Sequence, residues 1–168
     1  MSSIRVEFIP FRAAYAARIV GWLRRDEELA LVSPETPPPL TAAKVRGWSG
    51  AGRRPFLIRD SRRRRMIGYV ELNDMPQQAR TLWIGHFFIA PPWRGHGLGS
   101  ATVKALVREA FARFDATEVI LVVRADNSAA IRCYQAAGMA VIGEEWRRPA
   151  GSGPAQRMLR MGIRNGTG

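Results

Sequence analysis

The sequence predicts an α/β fold with one strand–helix–strand crossover in the middle of the chain, and three stretches carry that prediction. Ile4, Val6 and Phe8 alternate with polar residues, the period of a half-buried strand. Val103, Leu106, Val107, Ala110, Phe111 and Phe114 fall on one face of a helix that starts near Ser100. Val119-Ile120-Leu121-Val122-Val123 is an uninterrupted apolar run between charged residues, which suits a strand covered on both faces.

The remaining elements follow in order. Pro10 closes the first strand. Between Phe11 and Leu29 the positions Tyr15, Ile19, Trp22 and Leu23 recur at helical spacing, so a helix is expected there, ending before Pro34 and Pro37-Pro38-Pro39. Thr41 caps a second, short helix that ends near Trp48, with Gly47, Gly50 and Gly52 around its exit. Phe56-Leu57-Ile58 and Met66 to Leu72 form a hairpin whose turn contains Arg62-Arg63-Arg64-Arg65. Leu82 to Ile89 reads as one strand, stopped by Pro91-Pro92. Alternation puts Ile84, His86 and Phe88 on one face and Trp83, Gly85, Phe87 and Ile89 on the other, provided no bulge shifts the register. Beyond the crossover, Ser128 to Ala137 forms a helix stopped by Gly138 in the left-handed region. Ala140 to Gly143 and Met158 to Ile163 finish as strands around a turn at Pro149 to Pro154.

At 168 residues with 46% apolar and 24% charged side chains, the chain is expected to form one domain over residues 1–168. That composition excludes a disordered or collagen-like protein, and folding at this size hides roughly 70% of the unfolded chain's surface, enough for one substantial core. The formal net charge is +12, and of 26 basic residues only Lys44 and Lys104 are lysines. Guanidinium in such number fits a polyanionic partner, but also a GC-rich genome that writes arginine wherever a soluble surface tolerates it. Cys133 is the only cysteine, which rules out an intrachain disulfide and a metal framework and points to a reducing, cytoplasmic compartment. No apolar run approaches the ~18 residues a membrane span needs, and the first residues lack a signal-peptide pattern. A soluble protein with no membrane partner and no metal is expected.

The loop Arg94-Gly95-His96-Gly97-Leu98-Gly99 lies between a strand end and a helix start. Alternating glycines leave its backbone open, and the first N–H groups of the helix are free donors at the positive end of the dipole, a combination suited to phosphate. The spacing is neither a P-loop nor the dinucleotide fingerprint. About thirty residues on stand Asn127 and then Ala130-Ile131-x-x-Tyr134-x-x-x-Gly138. Together the two motifs, with the order of elements, resemble the GNAT superfamily of acyl-CoA-dependent N-acetyltransferases, and the resemblance runs from about Ile4 to Ile163.

The resemblance implies a mixed, splayed central sheet flanked by about four helices, and acetyl-CoA as acyl donor. It puts the pyrophosphate on Arg94, Gly95, His96, Gly97, Leu98, Gly99 and Ser100, with His96 at a variable position. The pantetheine is expected between the strands ending at Ile89 and near Arg124, beside Asn127. An N–H near Ile89 is expected to meet the oxyanion, and Tyr134 to protonate the leaving thiolate. Met139 departs from the aromatic usual after the glycine. The positions where the family often carries a base on the Leu82 to Ile89 strand are Trp83 and Gly85 here, and neither takes a proton. His86 and Glu71 are the remaining candidates, with water as the third.

The expected acceptor is a primary amine, on a small molecule or a protein, and a homodimer is compatible with the sequence. Asp26-Glu27-Glu28, Glu35, Glu71 and Asp74 are the acidic residues on the acceptor side. Ala130 to Tyr134 and Gly151-Ser152-Gly153-Pro154 look similar to aminoglycoside 6′-N-acetyltransferases, although a chain of net charge +12 does not suggest an acidic pocket for a polycation. The alternative from another class is a basic nucleic-acid-binding module using Arg53-Arg54 and Arg62 to Arg65. Those runs lack the interleaved aromatics of a single-strand binder, so no specific nucleic acid is expected.

Overall fold

A computed structural model describes residues 4–150 and 153–166. Among those residues eight strands form one sheet: β1 (Val6–Pro10), β2 (Pro55–Asp60), β3 (Arg65–Asp74), β4 (Thr81–Ile84), β5 (Phe88–Ile89), β6 (Glu118–Arg124), β7 (Ala140–Arg147) and β8 (Gln156–Arg164). Their order is β1-β2-β3-β4-β6-β8-β7, with β5 paired to β3 off that path. All neighbours are antiparallel except β4 and β6, the pair joined by the crossover. Among the described residues there are five α-helices, one more than the sequence suggests: α1 (Ala16–Trp22), α2 (Asp26–Val32), α3 (Ala42–Arg46), α4 (Leu98–Arg113) and α5 (Ser128–Ala136).

The extra helix comes from a break in the expected helix between Phe11 and Leu29. Leu23 leaves helical geometry at φ −110°, ψ 62°, and Arg25 is extended at φ −98°, ψ 132°. Asp26, Glu27 and Glu28 then occupy the first turn of α2, where carboxylates favour the positive end of a new helix. The two helices still bury Ile19, Leu23 and Leu29 in one cluster, so apolar spacing survives the break.

Two apolar clusters cover the two faces of the sheet. Helices α1 to α3 place Ile19, Leu29, Val45 and Trp48 against Leu57, Tyr69 and Phe88. Helices α4 and α5 place Val103, Leu106, Ala110 and Tyr134 against Ile67, Val70, Leu72 and Val119. Met139 is buried in this second cluster, filling the departure noted in its motif. Gly138 ends α5 at φ +95°, the left-handed stop expected there. Strands β7 and β8 are longer than their apolar cores because ion pairs such as Arg157–Glu144 and Arg160–Glu145 continue the ladder. Gly151 and Ser152, part of the aminoglycoside-type turn, lie outside the described residues.

The feature that makes the site is a rupture in the expected Leu82 to Ile89 strand. Leu72 pairs with Ile84 and Tyr69 with Phe88, so the three residues 85–87 face only the two residues 70–71. One residue is in excess, the definition of a β-bulge. The register shift separates residues that strict alternation puts together: Ile84 joins the α4 side while Phe88 joins the α1–α3 side. It also turns the strand away from β6, which β4 meets only from Thr81↔Glu118 to Trp83↔Ile120. Beyond that point the sheet opens.

Candidate active site

The gap between β5 and the far half of β6 is a cleft of about 380 Å³. Its walls are the bulge 85–87, Ile89, residues 121–124 of β6, Tyr134 of α5 and the end of α2 with Ser33 to Glu35. Phe88 exchanges its backbone bonds with Tyr69, and Ala90 N–H donates to Ile67 O at 2.8 Å, so the N–H and C=O of Ile89 point away from β3 toward the cleft.

Glu71 and His86, the two base candidates, meet. His86 Nδ1 lies 2.7 Å from Glu71 Oε1. Glu71 is 1% exposed and also accepts from Tyr69 Oη at 3.0 Å and Asn73 Nδ2 at 2.9 Å. Burial by itself raises the Glu71 carboxyl, but the His86, Asn73 and Tyr69 contacts together outweigh it and hold the group below its ordinary value. The carboxyl is therefore ionised at neutral pH. Burial first, and then the Glu71 charge, push the Tyr69 phenol upward, so it stays a donor.

The other edge of His86 meets a residue that sequence reasoning missed. Ser33 Oγ is 2.9 Å from His86 Nε2, Thr36 Oγ1 is 2.6 Å from Ser33 Oγ, and Trp48 Nε1 donates to Thr36 Oγ1 at 3.1 Å. The Trp48 ring also stacks on His86 with centroids 4.3 Å apart. The chain runs from a group that can only donate, the indole, to one that can only accept, the carboxylate. Its direction follows: Trp48 to Thr36 to Ser33 to His86 Nε2, with the imidazole proton on Nδ1 facing Glu71. A lone serine between Val32 and Pro34 carries no spacing signal, so only the fold reveals it.

Gly85 accounts for the base that the strand lacks. A Cβ at this position would lie 2.6 Å from both Glu71 Oε2 and Asn73 Nδ2. The Glu71 carboxylate, supplied by the neighbouring strand, fills the space that a side chain at 85 would take.

Arg94, the first residue of the glycine loop, lines the cleft, and the residues after it divide in role. Gly95 and Gly97 adopt φ +78° and +72°, and nothing lies within 4 Å of a Cβ at Gly95. These two fit a backbone cradle for phosphate. Gly99 differs, because its Cβ would meet Cys133 Sγ at 2.9 Å, so helix packing requires that glycine. Leu98 is buried in the core, leaving only its backbone to the loop, and the Ser100 hydroxyl donates to Gly97 O at 3.2 Å. The Arg94 guanidinium turns away from the loop, donating to Ile89 O at 2.8 Å and Glu28 at 2.7 Å. His96 is exposed, with Nδ1 3.3 Å from Trp93 O.

Asn127 caps α5, its Oδ1 accepting from Ala130 N–H at 3.2 Å, and also lines the cleft. Tyr134 is 9% exposed, packs with Phe87 at a ring distance of 6.2 Å, and lines the cleft between the two strands. Burial first, then Cys133, raise its phenol well above the ordinary value, so its proton is retained. Burial likewise pushes the Cys133 thiol up to about 11. Among the acidic residues, Glu28 and Glu35 line the cleft, whereas Asp74 binds Arg54. Among the described residues no group of three or more acidic, His or Cys side chains is placed to hold a metal ion, and no helix is long and apolar enough to cross a membrane.

Residues 17–139 match the acetyltransferase (GNAT) family. The fold is similar to that of spermidine N-acetyltransferase from Vibrio cholerae in complex with CoA and spermine, at TM-score 0.78, 19% identity and 95% coverage of each chain. It is also similar to AAC(6')-Ib in complex with paromomycin and acetyl-CoA, at TM-score 0.74 and 20% identity over 95% of this chain and 93% of that one. Among curated protein sequences none matches this chain. The comparisons give the nucleic-acid reading no support.

Proposed function

Because the chain belongs to the acetyltransferase (GNAT) family, and so transfers the acetyl group of acetyl-CoA to an amine, we propose that His86, backed by Glu71 and reached through Ser33, takes the proton from the acceptor. The observation that carries this reading is the array Ser33–His86–Glu71, with contacts of 2.9 and 2.7 Å. An amine must be neutral to attack a carbonyl carbon, and a general base contributes typically ~10²–10⁴-fold. As an ammonium gives a proton to Ser33 Oγ, the Ser33 proton passes to His86 Nε2. The resulting imidazolium faces the ionised Glu71 carboxylate.

Acetyl-CoA suits what this face of the molecule offers: the Ile89 N–H directed into the gap, the phenol of Tyr134 between the strands, and, beyond Arg94 on the cleft wall, the left-handed glycines Gly95 and Gly97 of the adjoining loop. When bound, acetyl-CoA supplies an acetyl group activated as a thioester, whose sulfur needs a proton on departure. Tyr134 holds that proton, its pKa being raised by burial. Ile89 N–H serves the oxyanion.

We infer a small-molecule primary amine as acceptor, carried by the enclosed wall of α2 and Ser33 to Glu35. Glu28 and Glu35 face the cleft together with Arg94, Arg124 and Arg147, so there is no acidic surplus of the kind a polycation needs. A kinetic screen of amines that includes spermidine and an aminoglycoside, followed by variants on the best acceptor, tests the assignment. His86→Gln and Tyr134→Phe should each lower kcat by about 10²–10⁴-fold with little change in the KM for acetyl-CoA. A folded His86→Gln protein with undiminished kcat, measured where chemistry limits the rate, returns the base to water.

A further inference from the structure

Two of the exposed arginines in the β2–β3 turn, Arg62 and Arg63, are held by fixed contacts. The Asp60 carboxylate accepts from the backbone N–H of Arg62 at 2.9 Å and of Arg63 at 3.1 Å, and pairs with the Arg63 guanidinium at 2.8 Å. These bonds curl the turn, and Arg62 and Arg63 line one hollow with Asp60. Ser61 N–H donates to Arg5 O at 3.0 Å, which brings Arg5 to the same place. Arg63 lies over the Trp93 ring, 5.9 Å from its centroid, and Trp93 leads directly into the glycine loop.

The result is a hollow of about 310 Å³ walled by Arg5, Asp60, Arg62, Arg63 and His96, with Ile4 and Leu98 beneath. His96 and Leu98 belong to the phosphate-cradling loop, and Ile4 Cδ1 lies 3.6 Å from where a Cβ of Gly97 would stand. The hollow is thus contiguous with the loop on the side away from the acyl cleft. Three guanidiniums stand against the single Asp60 carboxylate, a surplus of two positive charges before His96 is counted. That surplus matches a phosphomonoester dianion. A guanidinium fork binds phosphate oxygens in pairs, and His96 offers a further ring nitrogen.

We propose that this hollow binds the 3′-phosphate on the ribose of CoA, and that Arg62 and Arg63 make the enzyme select CoA over its dephosphorylated form. The inference rests on acetyl-CoA being the donor and on the glycine loop holding its pyrophosphate. It takes the arginine run for the cofactor, where the sequence alone left it as either a solvated turn or a nucleic-acid patch.

Calorimetric titration of CoA and of 3′-dephospho-CoA into the wild-type protein and into Arg62→Gln/Arg63→Gln tests it. Wild-type protein should bind CoA about tenfold or more tightly than dephospho-CoA. The double variant should bind the two ligands alike, near the wild-type value for dephospho-CoA. Equal binding of the two ligands by the wild-type protein overturns the proposal, and so does a double variant that keeps the wild-type ratio. Weakening of both ligands by the same factor in the double variant also overturns it, because that marks a general field effect. Failure of wild-type protein to bind either ligand is a different result, which defeats the loop assignment itself. Titration with a single-stranded oligonucleotide serves as the contrasting arm, and steeply salt-dependent binding there that the double variant loses would reassign the arginines to nucleic acid.

Discussion

Gly85 has no room for a side chain, and the reason is chemical as much as steric. Its virtual Cβ sits 2.6 Å from two polar atoms that already hold each other, Glu71 Oε2 and Asn73 Nδ2. Gly85→Ala must push the carboxylate, and the carboxylate holds His86. The variant should lose about 1–3 kcal/mol of stability, as overpacking in a filled interior does. It should also lose kcat while keeping its affinity for CoA. Gly50→Ala is the matched control, since nothing lies within 4 Å of that position and its φ is unremarkable. Thermal melts and steady-state kinetics of the pair decide the matter: equal kcat in both proteins means that Glu71 does not act through His86. At this scale the sequence was half legible. Tyr134, the glycines and the two base candidates carry chemical type and spacing. Ser33 and Thr36 do not, because Ser33 joins a histidine 53 residues away, and Thr36 joins it through Ser33, only on folding.

The bulge at 85–87 and the cap on α5 show how elements place these residues. Strand periodicity located the Leu82 to Ile89 segment but not its interruption, because a bulge leaves composition unchanged and shows itself only in the pairing with β3. The break between α1 and α2 was similarly hidden under unbroken apolar spacing, although the triplet Asp26-Glu27-Glu28 marks a helix start. The cap of α5, by contrast, can be read from the sequence as an asparagine before a helix, and it has two duties that substitution can separate. Asn127→Ala removes the acceptor for Ala130 N–H and should cost about 1 kcal/mol. Asn127→Asp keeps a capping oxygen, and its charge suits a helix N-terminus, so stability should hold. The same charge faces the cleft proposed to take CoA, so on that proposal CoA affinity should fall in Asn127→Asp although the fold does not suffer. Denaturant melts with parallel CoA titrations separate the two duties, and unchanged CoA affinity in Asn127→Asp would leave the residue as a cap alone.

Across the whole molecule the carboxylates are few and their protonation is resisted. Contacts with arginine lower the carboxyls of Glu7, Asp126 and Glu144, and outweigh burial to do so at Asp60 and Glu145. Glu71 belongs to the same class but with His86, Asn73 and Tyr69 as donors. A carboxyl lowered in the folded state binds its proton more weakly there than in the unfolded chain. As pH falls through the ordinary values of 4.5 for Glu and 3.8 for Asp, the unfolded chain takes up protons first, and stability is lost. Each neutralised acid also adds to a net charge that is already +12, so repulsion grows in the same direction. The melting temperature should therefore be nearly level from about pH 6 to 8 and fall steeply below about pH 4.5. Glu71 is the member of this set buried at 1% exposure, and Glu71→Gln isolates its share. The amide keeps an oxygen for Asn73 or Tyr69 but loses the charge that attracts all three donors, a loss of about 1–3 kcal/mol at neutral pH. Because the variant has no proton to gain at that position, its deficit should narrow as pH drops through and below the ordinary carboxyl value, and the two melting curves should converge. A deficit that widens as pH falls toward the ordinary carboxyl value would show that Glu71 carries a proton in the folded protein, and the bonds between Glu71, His86 and Ser33 would then run the other way while the Trp48 indole still donates to Thr36.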